Sequence, residues 1–430
     1  MTKHRQVRLG RVGKLWTPAY GHYSLNTMLQ RLSYLEEELK EDSKALIALG
    51  KSEVFIRNSF ANYRSKERTG RYGFGFAVPT RIERGSERYY TEALHFLPIV
   101  EWLDPDARQR LISGLPPCLI DEYTDSDGEA YGAILFIPLF MDMVKDIRSG
   151  IQLKLIANKI IADSARFARD DLGISVLGLG ATLPKLTKFG ARIRRHGIVT
   201  TTGHGGTVYI IVKTLEAVME KRKADFSLPI GCIGAGSIGA SSADLVLQQV
   251  PDARILIYDT RPPILAQVVE SLGEKYGRHR IVAAQSNAQV LSQSQFIISA
   301  VTSAIPVAQD IDLSGKVIID DSQPASFDKG EVETHGGKVV WVVAHDSSSD
   351  SFLTRRSDYR FGEEGLLHKG DVWGCEAEVG SLWRADRLDL ALAEQVSPEK
   401  ALQIGKIMYD TGMTLAAFQQ EGGAVRINGS

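Results

Sequence analysis

Apolar and polar positions along this chain follow two rhythms, and the changes between them mark out its elements. Over residues 28–49 the apolar positions 28, 29, 32, 35, 39, 46 and 49 keep the three-to-four spacing of a helix. Asp42 interrupts that stripe, and Gly50 is its natural stop. Residues 151–170 repeat the helical rhythm at 153, 156, 160 and 167, with Lys154, Lys159, Arg166 and Arg169 on the other side, as on a surface helix. Residues 1–27 show no period and read as an irregular arm. Between 51 and 130 short apolar runs mix with turn residues and the polar cluster DEYTDSDGE, and no element is assigned. A buried strand is expected over 131–140, closed by Pro138.

From residue 174 onward the rhythm changes to short apolar runs, glycine-rich turns and helices. A strand at 174–177 runs into Gly178-Leu179-Gly180-Ala181-Thr182. A second at 197–201 runs into Thr202-Gly203-His204-Gly205-Gly206-Thr207, with a helix over 208–218. The charged stretch EKRKAD, 220–225, ends that helix. A third apolar run, 230–233, meets Gly234-x-Gly236-x-x-Gly239, and an amphipathic segment follows. The next apolar run, 255–258, ends in Asp259, 20 residues beyond Gly239. Alternation continues with helix 263–276, strand 281–284, helix 287–292, strand 296–301, a turn at Thr302-Ser303, and strands 316–320 and 338–343. Past His345 a polar, loop-like stretch leads to two helices, 371–394 and 398–419.

This order predicts an α/β protein, with a doubly wound Rossmann-like dinucleotide-binding domain over 226–345 and a second α/β substrate domain over 86–225. Residues 1–85 form an extension, and 346–430 carry helices long enough to return to the substrate domain.

The third unit is the most specific of these. Gly234 permits a tight turn, Gly236 lets backbone approach a pyrophosphate, and Gly239 lets helix pack on strand. Ser237 and Ile238 complete the loop at the helix N-terminus, whose N–H groups and partial positive charge favour phosphate. Asp259 suits the ribose 2′-hydroxyl of NAD, whereas Arg261 suits the 2′-phosphate of NADP, so the sequence points both ways.

Composition narrows the setting. The 430 residues are 43% apolar and 24% charged with net charge −1, as in an ordinary globular protein, and give no basic surface for nucleic acid. Cysteines at 118, 232 and 375 fit neither a disulfide framework nor a paired metal motif, and they suit a reducing compartment. The longest uncharged apolar run, 133–141, is too short to span a bilayer, and the basic N-terminus lacks a signal's apolar core. A cytoplasmic protein without a transmembrane segment is expected. No H-E-x-x-H or G-x-S-x-G site is present.

Among reactive residues, Cys375 in Gly370-Asp371-Val372-Trp373-Gly374-Cys375-Glu376-Ala377-Glu378 stands out. With Asp371 as N-cap it falls in the first turn of a helix, where the dipole lowers a thiol's pKa, although Glu376 and Glu378 oppose this. The plainer reading is a small buried hydrophobe, which is how Cys232 reads. The run TTGHGGT, 201–207, offers backbone N–H groups to a phosphate or oxyanion, and His204 as a proton donor. The plainer reading there is a glycine-rich connection with a solvated histidine. His345, His368 and Lys369, and the basic clusters 192–195 and 221–223, read more simply as surface.

Several of these stretches fall into one familiar order: GISVLGLGATLPKLTKFG, VTTTGHGGTVYIIVKTLE, IGCIGAGSIGASSADLVLQ, SQFIISAVTSAIPVAQDIDLSGKVIIDDSQP, GDVWGCEAEVGSLW and PEKALQIGKIMYDTGM. Over about residues 150–420 the chain resembles the cyanobacterial long-chain acyl-(acyl-carrier-protein) reductases, which reduce an acyl thioester to a fatty aldehyde with NADPH. The resemblance implies that Cys375 is the acylated cysteine and that Gly234 and Gly239 belong to the nucleotide loop. It places the hydroxyl-rich turn at Thr201, Thr202, Gly203 and Thr207; Thr302, after strand 296–301, joins these as a cofactor contact. It implies NADPH, with NADH possible, a carrier-protein or CoA thioester as substrate, and a homo-oligomer as one arrangement. Departures are His204 where the family has asparagine, GAGSIGA where it has GATGDIGS, and YDTR where it has a basic end. The first 85 residues have no counterpart. Two other readings stay open: an amino- or keto-acid dehydrogenase with His204 or Lys369 as acid–base, and a non-catalytic dinucleotide-binding interaction protein.

Overall fold

The computed structural model describes residues 23–64, 71–79, 96–139, 150–224, 226–322, 325–356, 366–392, 394–420 and 423–427. The arm expected at 1–27 lies outside them up to residue 22. The chain forms two compact units, one of residues 1–123 with 130–200, the other of 124–129 with 201–430.

In the first unit, α1 (Leu25–Leu39) starts on Ser24, whose side chain accepts from Thr27 N–H. The break at Asp42 is real and has a chemical cause. Asp42 Oδ1 accepts from the N–H groups of Lys44 and Ala45, each at 3.0 Å, and so caps the second helix. That helix, α2 (Ser43–Arg64), runs through Gly50 rather than stopping there. Gly50 faces open space, and the roughly 1 kcal/mol a helical glycine costs is offset where Ile56 and Phe60 are buried further on. The stretch left unassigned contains β1 (Phe74–Pro79), a six-residue strand buried throughout, and β2 (Cys118–Thr124). With β3 (Ala130–Ile137), β4 (Val176–Leu179) and β5 (Val199–Thr201) they form a sheet ordered β2-β3-β1-β4-β5. β1 is parallel to both neighbours, and a strand covered on both faces reads as continuous apolar residues instead of alternating ones. The surface helix α3 (Gly150–Arg166) matches its periodicity.

The second unit holds the nucleotide fingerprint. Strands β6 (Ile230–Ile233), β7 (Ile255–Tyr258), β8 (Ile281–Ala283), β9 (Phe296–Ser299), β10 (Val317–Asp320) and β11 (Lys338–Trp341) form one sheet in the order β11-β10-β9-β6-β7-β8. The strand pairs are parallel. This is the doubly wound arrangement, with its switch point between β6 and β9, where a crevice opens beyond the carboxyl ends of the strands. Helix α4 (His204–Arg222) starts four residues earlier than its periodicity suggests, because Gly203 turns the chain at φ 71°. It is enclosed by α5 (Ser237–Gln249), α6 (Gly374–Arg384) and α7 (Pro398–Asp410), so most of its length is buried.

The C-terminal region departs from the periodicity of its sequence. Asp371 is not an N-cap: 371–373 is a strand pairing antiparallel with residues 343–346, and Trp373 occupies the cap position with no side-chain bond. α6 ends at Arg384, not 394. α7 ends at Asp410, not 419: Gly412 reverses the chain at φ 96°, and Met413–Leu415 joins the same small sheet. The apolar residues after 412 belong to strand packing, which a helical reading absorbed.

Candidate functional site

Gly234, at φ 101°, closes the turn after β6; a Cβ there would stand 2.5 Å from the carbonyl of Ala300. A Cβ at Gly239 would overlap the carbonyl of Gly234, so the helix approaches the strand as closely as the fingerprint requires. Gly236 differs. A Cβ there would meet only Arg261 Nη2, at 3.8 Å, leaving room above the N-terminus of α5. Ser237 and Ile238 form the first turn of that helix and are partly exposed.

Asp259 ends β7 as expected, and both its oxygens are engaged. Oδ1 accepts from Arg261 N–H at 2.9 Å and Nε at 2.8 Å; Oδ2 accepts from Ala235 N–H and Arg261 Nη2, both at 2.8 Å. These bonds hold the carboxyl below its ordinary range against the opposing effect of burial, which is the largest single influence. The two residues that pointed to different cofactors are therefore one ion pair at the edge of the cradle, its guanidinium facing Gly236.

The other glycine-rich turn is closed. Glu378, fully buried on α6, accepts from Thr201 Oγ1 through Oε1 and from Gly206 N–H at 2.6 Å through Oε2. The N–H groups of Gly203 and Gly205 also favour its charged form, while burial, the larger effect, raises its pKa. Thr201 Oγ1 accepts in turn from Leu392 N–H at 3.1 Å, and Thr202 N–H donates to the Leu392 carbonyl at 3.1 Å. The N–H groups of Gly203, Gly205 and Gly206, expected to hold a phosphate or an oxyanion, thus hold the protein's own carboxylate, while His204 N–H donates to Thr202 Oγ1 at 3.4 Å. Thr201 and Gly203 face α6.

Cys375 sits in the first turn of α6, half-buried. It packs so closely on the turn that a Cβ at Gly203 would overlap its own Cβ. The expected lowering of its pKa is reversed. Burial pushes the thiol well above its ordinary value, and the charges of Glu376, Asp321 and Glu378 add to this. Glu376 is itself neutralised by Arg355, whose Nη2 lies 2.6 and 2.8 Å from its two oxygens. Asp321 follows Asp320, a buried carboxylate at the end of β10 pushed up to about 6 by burial. Asp320 shapes the following loop by accepting from the N–H groups of Ser322, Ser326 and Phe327 at 3.0, 2.7 and 3.3 Å.

His204 begins α4, and its Nδ1 lies 3.1 Å from Ser237 Oγ on the nucleotide loop. Burial pulls it from its ordinary 6.5 to about 4, so the imidazole is neutral near pH 7. Thr302 is exposed beyond β9. His345 is held by the buried Asp371, Nδ1 to Oδ1 at 2.8 Å, while His368 and Lys369 are exposed. Cys118 and Cys232 are buried, their thiols pushed up to about 12. Three contributors went unassigned at the sequence level: Asp321, Arg355 and the clamping role of Glu378. The one available signal was two glutamates within an otherwise apolar helical stretch, GCEAEVGSLW.

No family model and no curated protein matches the chain. Among solved structures it is similar to L-tryptophan dehydrogenase from Nostoc punctiforme, at 12% identity over 79% of this chain and 81% of that one, with a TM-score of 0.38. Quinate dehydrogenase from Corynebacterium glutamicum in complex with NAD gives 13% identity over 79% and 99%, with a TM-score of 0.30. Delta(1)-pyrroline-2-carboxylate reductase from Thermococcus litoralis, in complex with NADH and L-proline, gives 25% identity over 28% of this chain and 39% of that one, with a TM-score of 0.24. Among the described residues no helix is long and apolar enough to cross a membrane, and no group of three His, Cys, Asp or Glu side chains is placed to hold a metal ion.

Proposed function

We propose that this chain is a nicotinamide-dinucleotide-dependent oxidoreductase that takes NADPH and reduces an acyl thioester through Cys375. The observation that carries the oxidoreductase reading is the open cradle at Gly236, at the switch point of a doubly wound parallel sheet. The first-turn N–H groups of α5, at Ser237 and Ile238, would face the pyrophosphate. Arg261, exposed and leaning on Asp259, would pass to the 2′-phosphate of NADPH; with NADH it would stay on Asp259 and leave that carboxylate a poor acceptor for the bare ribose hydroxyl.

Three features support the covalent step: the place of Cys375 in the first turn of α6, its packing against the turn at Gly203, and the order of sequence stretches around it. The sulfur forms a bond to the acyl carbonyl carbon, the bond to the carrier thiol breaks, and that thiol leaves with the proton Cys375 gives up. The α6 N-terminus, where Trp373 supplies no side-chain cap, favours the oxyanion. The loop at Gly234–Gly239 would hold a dinucleotide that could supply one hydride, which with one proton would convert the acyl-enzyme to aldehyde and free thiol.

A second reading, a dehydrogenase of an amino or keto acid with Cys375 structural, rests on two specific observations. The resting thiol is held well above its ordinary value, and a neutral His204 bonded to Ser237 stands beside the loop, placed to donate a hydrogen bond to a substrate carbonyl. Mass spectrometry after incubation with carrier-protein and CoA thioesters, dinucleotide absent, separates the two. An adduct on the Cys375 peptide supports thioester reduction. Absence of an adduct across both thioester classes, with oxidation of NADPH by a keto acid, selects the dehydrogenase.

A further inference from the structure

We infer that Glu378 is a positioning residue for Cys375: its carboxylate ties the N-terminal turn of α4 to the second turn of α6 and thereby sets where the cysteine sits and how its sulfur is charged. The inference deepens the thioester reading and rests on it for its catalytic meaning. Its physical content stands on the clamp alone. An α-helix leaves its first N–H groups without intrahelical partners, and at α4 these face a buried carboxylate on another helix. Thr201, which bonds the same carboxylate and the N–H of Leu392, fastens a third segment to it.

Contact between the two helix starts is backbone on backbone. A Cβ at Gly374 would lie 2.9 Å from the Cα of Thr207 and 3.0 Å from the carbonyl of Gly206. Any slack in the Glu378 clamp is therefore transmitted directly to Cys375, which follows Gly374. The charged groups bearing on the sulfur are Glu376 and Glu378 on its own helix and Asp321 from the loop after β10; Arg355 neutralises Glu376, and His204 at the start of α4 is uncharged near pH 7. Of the carboxylates on its own helix, Glu378 is the one held by N–H dipoles and a hydroxyl in place of a cation.

The test is the pH dependence of iodoacetamide alkylation at Cys375, followed by mass spectrometry on the full chain without substrate or dinucleotide. Cys118 and Cys232 are buried and do not compete. Glu378→Gln keeps the shape and removes the charge; its alkylation at pH 8 is expected to be roughly tenfold faster than wild type, with the profile displaced to lower pH. Glu378→Asp keeps the charge without the reach to Gly206, and its profile stays near wild type while Cys375 reacts with less steric protection. A Glu378→Gln profile that superimposes on wild type overturns the proposal, since a purely structural cap would change stability alone. Should that variant fail to fold, hydrogen exchange in the wild-type protein decides. The Gly206 amide exchanges roughly tenfold or more slowly than an open helix-start amide if the clamp holds, and at the open rate if it does not. Because no turnover is read, a displaced profile with no thioester adduct would overturn the function and leave Glu378 in its role; the converse pattern would do the reverse.

Discussion

Two turns in the second unit share one sequence grammar, a short apolar strand, a glycine-rich turn and a helix, and have opposite physical fates. The turn at 234–239 is open: its middle glycine faces space, and the acid that ends the next strand is held to one side by Arg261. The turn at 201–207 is filled, the N–H groups of Gly203, Gly205 and Gly206 committed to Glu378 and its surface covered by Cys375. A helix start rich in glycine can hold an anion, and at 201–207 it does. There the anion comes from the protein's own chain, from a residue 172 positions from Gly206, whereas at 234–239 no side chain among the described residues fills the turn and the anion proposed for it is a dinucleotide.

The closed turn is the more sensitive of the two to substitution. Gly206→Ala would drive a Cβ into the carbonyl of Gly374 and to within 2.8 Å of the Cβ of Glu378. Backbone cannot retreat there, so we expect a loss of about 3 kcal/mol or more in urea unfolding. Gly236→Ala, at the equivalent place in the open turn, should cost less than about 1 kcal/mol. Equal losses would mean that the two turns are packed alike.

A comparable effect comes from pH. His204 has its pKa depressed in the folded state, from 6.5 to about 4, so the stability it contributes is complete above pH 6.5 and is lost as pH falls through that window. The shift corresponds to about 3 kcal/mol at most. Chemical denaturation between pH 7 and 4 should therefore show a slope that His204→Gln flattens. An unchanged slope would place the imidazole in water, away from Ser237.

At the open turn the residue proposed to decide between dinucleotides is Arg261, and Arg261→Ala removes its guanidinium. Losing a guanidinium–phosphate contact of about 2 kcal/mol should weaken NADPH roughly thirtyfold in a fluorescence titration and spare NADH. With Asp259 released to a ribose hydroxyl, NADH should bind as well or better. Equal weakening of both dinucleotides would assign Arg261 to fold support.

Much of the open turn was legible because its signals are local. Strands 230–233 and 255–258 coincide with their apolar runs, and Gly239 answers to a contact with Gly234 inside the same βαβ unit. The closed turn was not legible, for a physical reason. Its glycines are explained by α6, which lies far along the chain, and TTGHGGT reads equally well as a site or as packing until Glu378 is placed. The same distance effect reversed the expectation for Cys375: a helix start lowers a thiol's pKa in isolation, and burial beside carboxylates from two segments outweighs it. In the first unit, β1 went unassigned because a strand covered on both faces carries no alternation to detect. Asp42, read as an interruption, is the cap that starts α2.

The difference between the turns is tested most directly by an NADPH fluorescence titration of Gly236→Asp beside wild type. The site of substitution is open, with Arg261 Nη2 as the nearest group at 3.8 Å, so the variant should fold and melt like the parent. Its new carboxylate would stand where the pyrophosphate is proposed to lie. Saturable binding by wild type with a loss of roughly hundredfold or more in the variant is the result predicted. Equal affinity in the two proteins, or no binding by wild type, would contradict the assignment of the open turn to a dinucleotide.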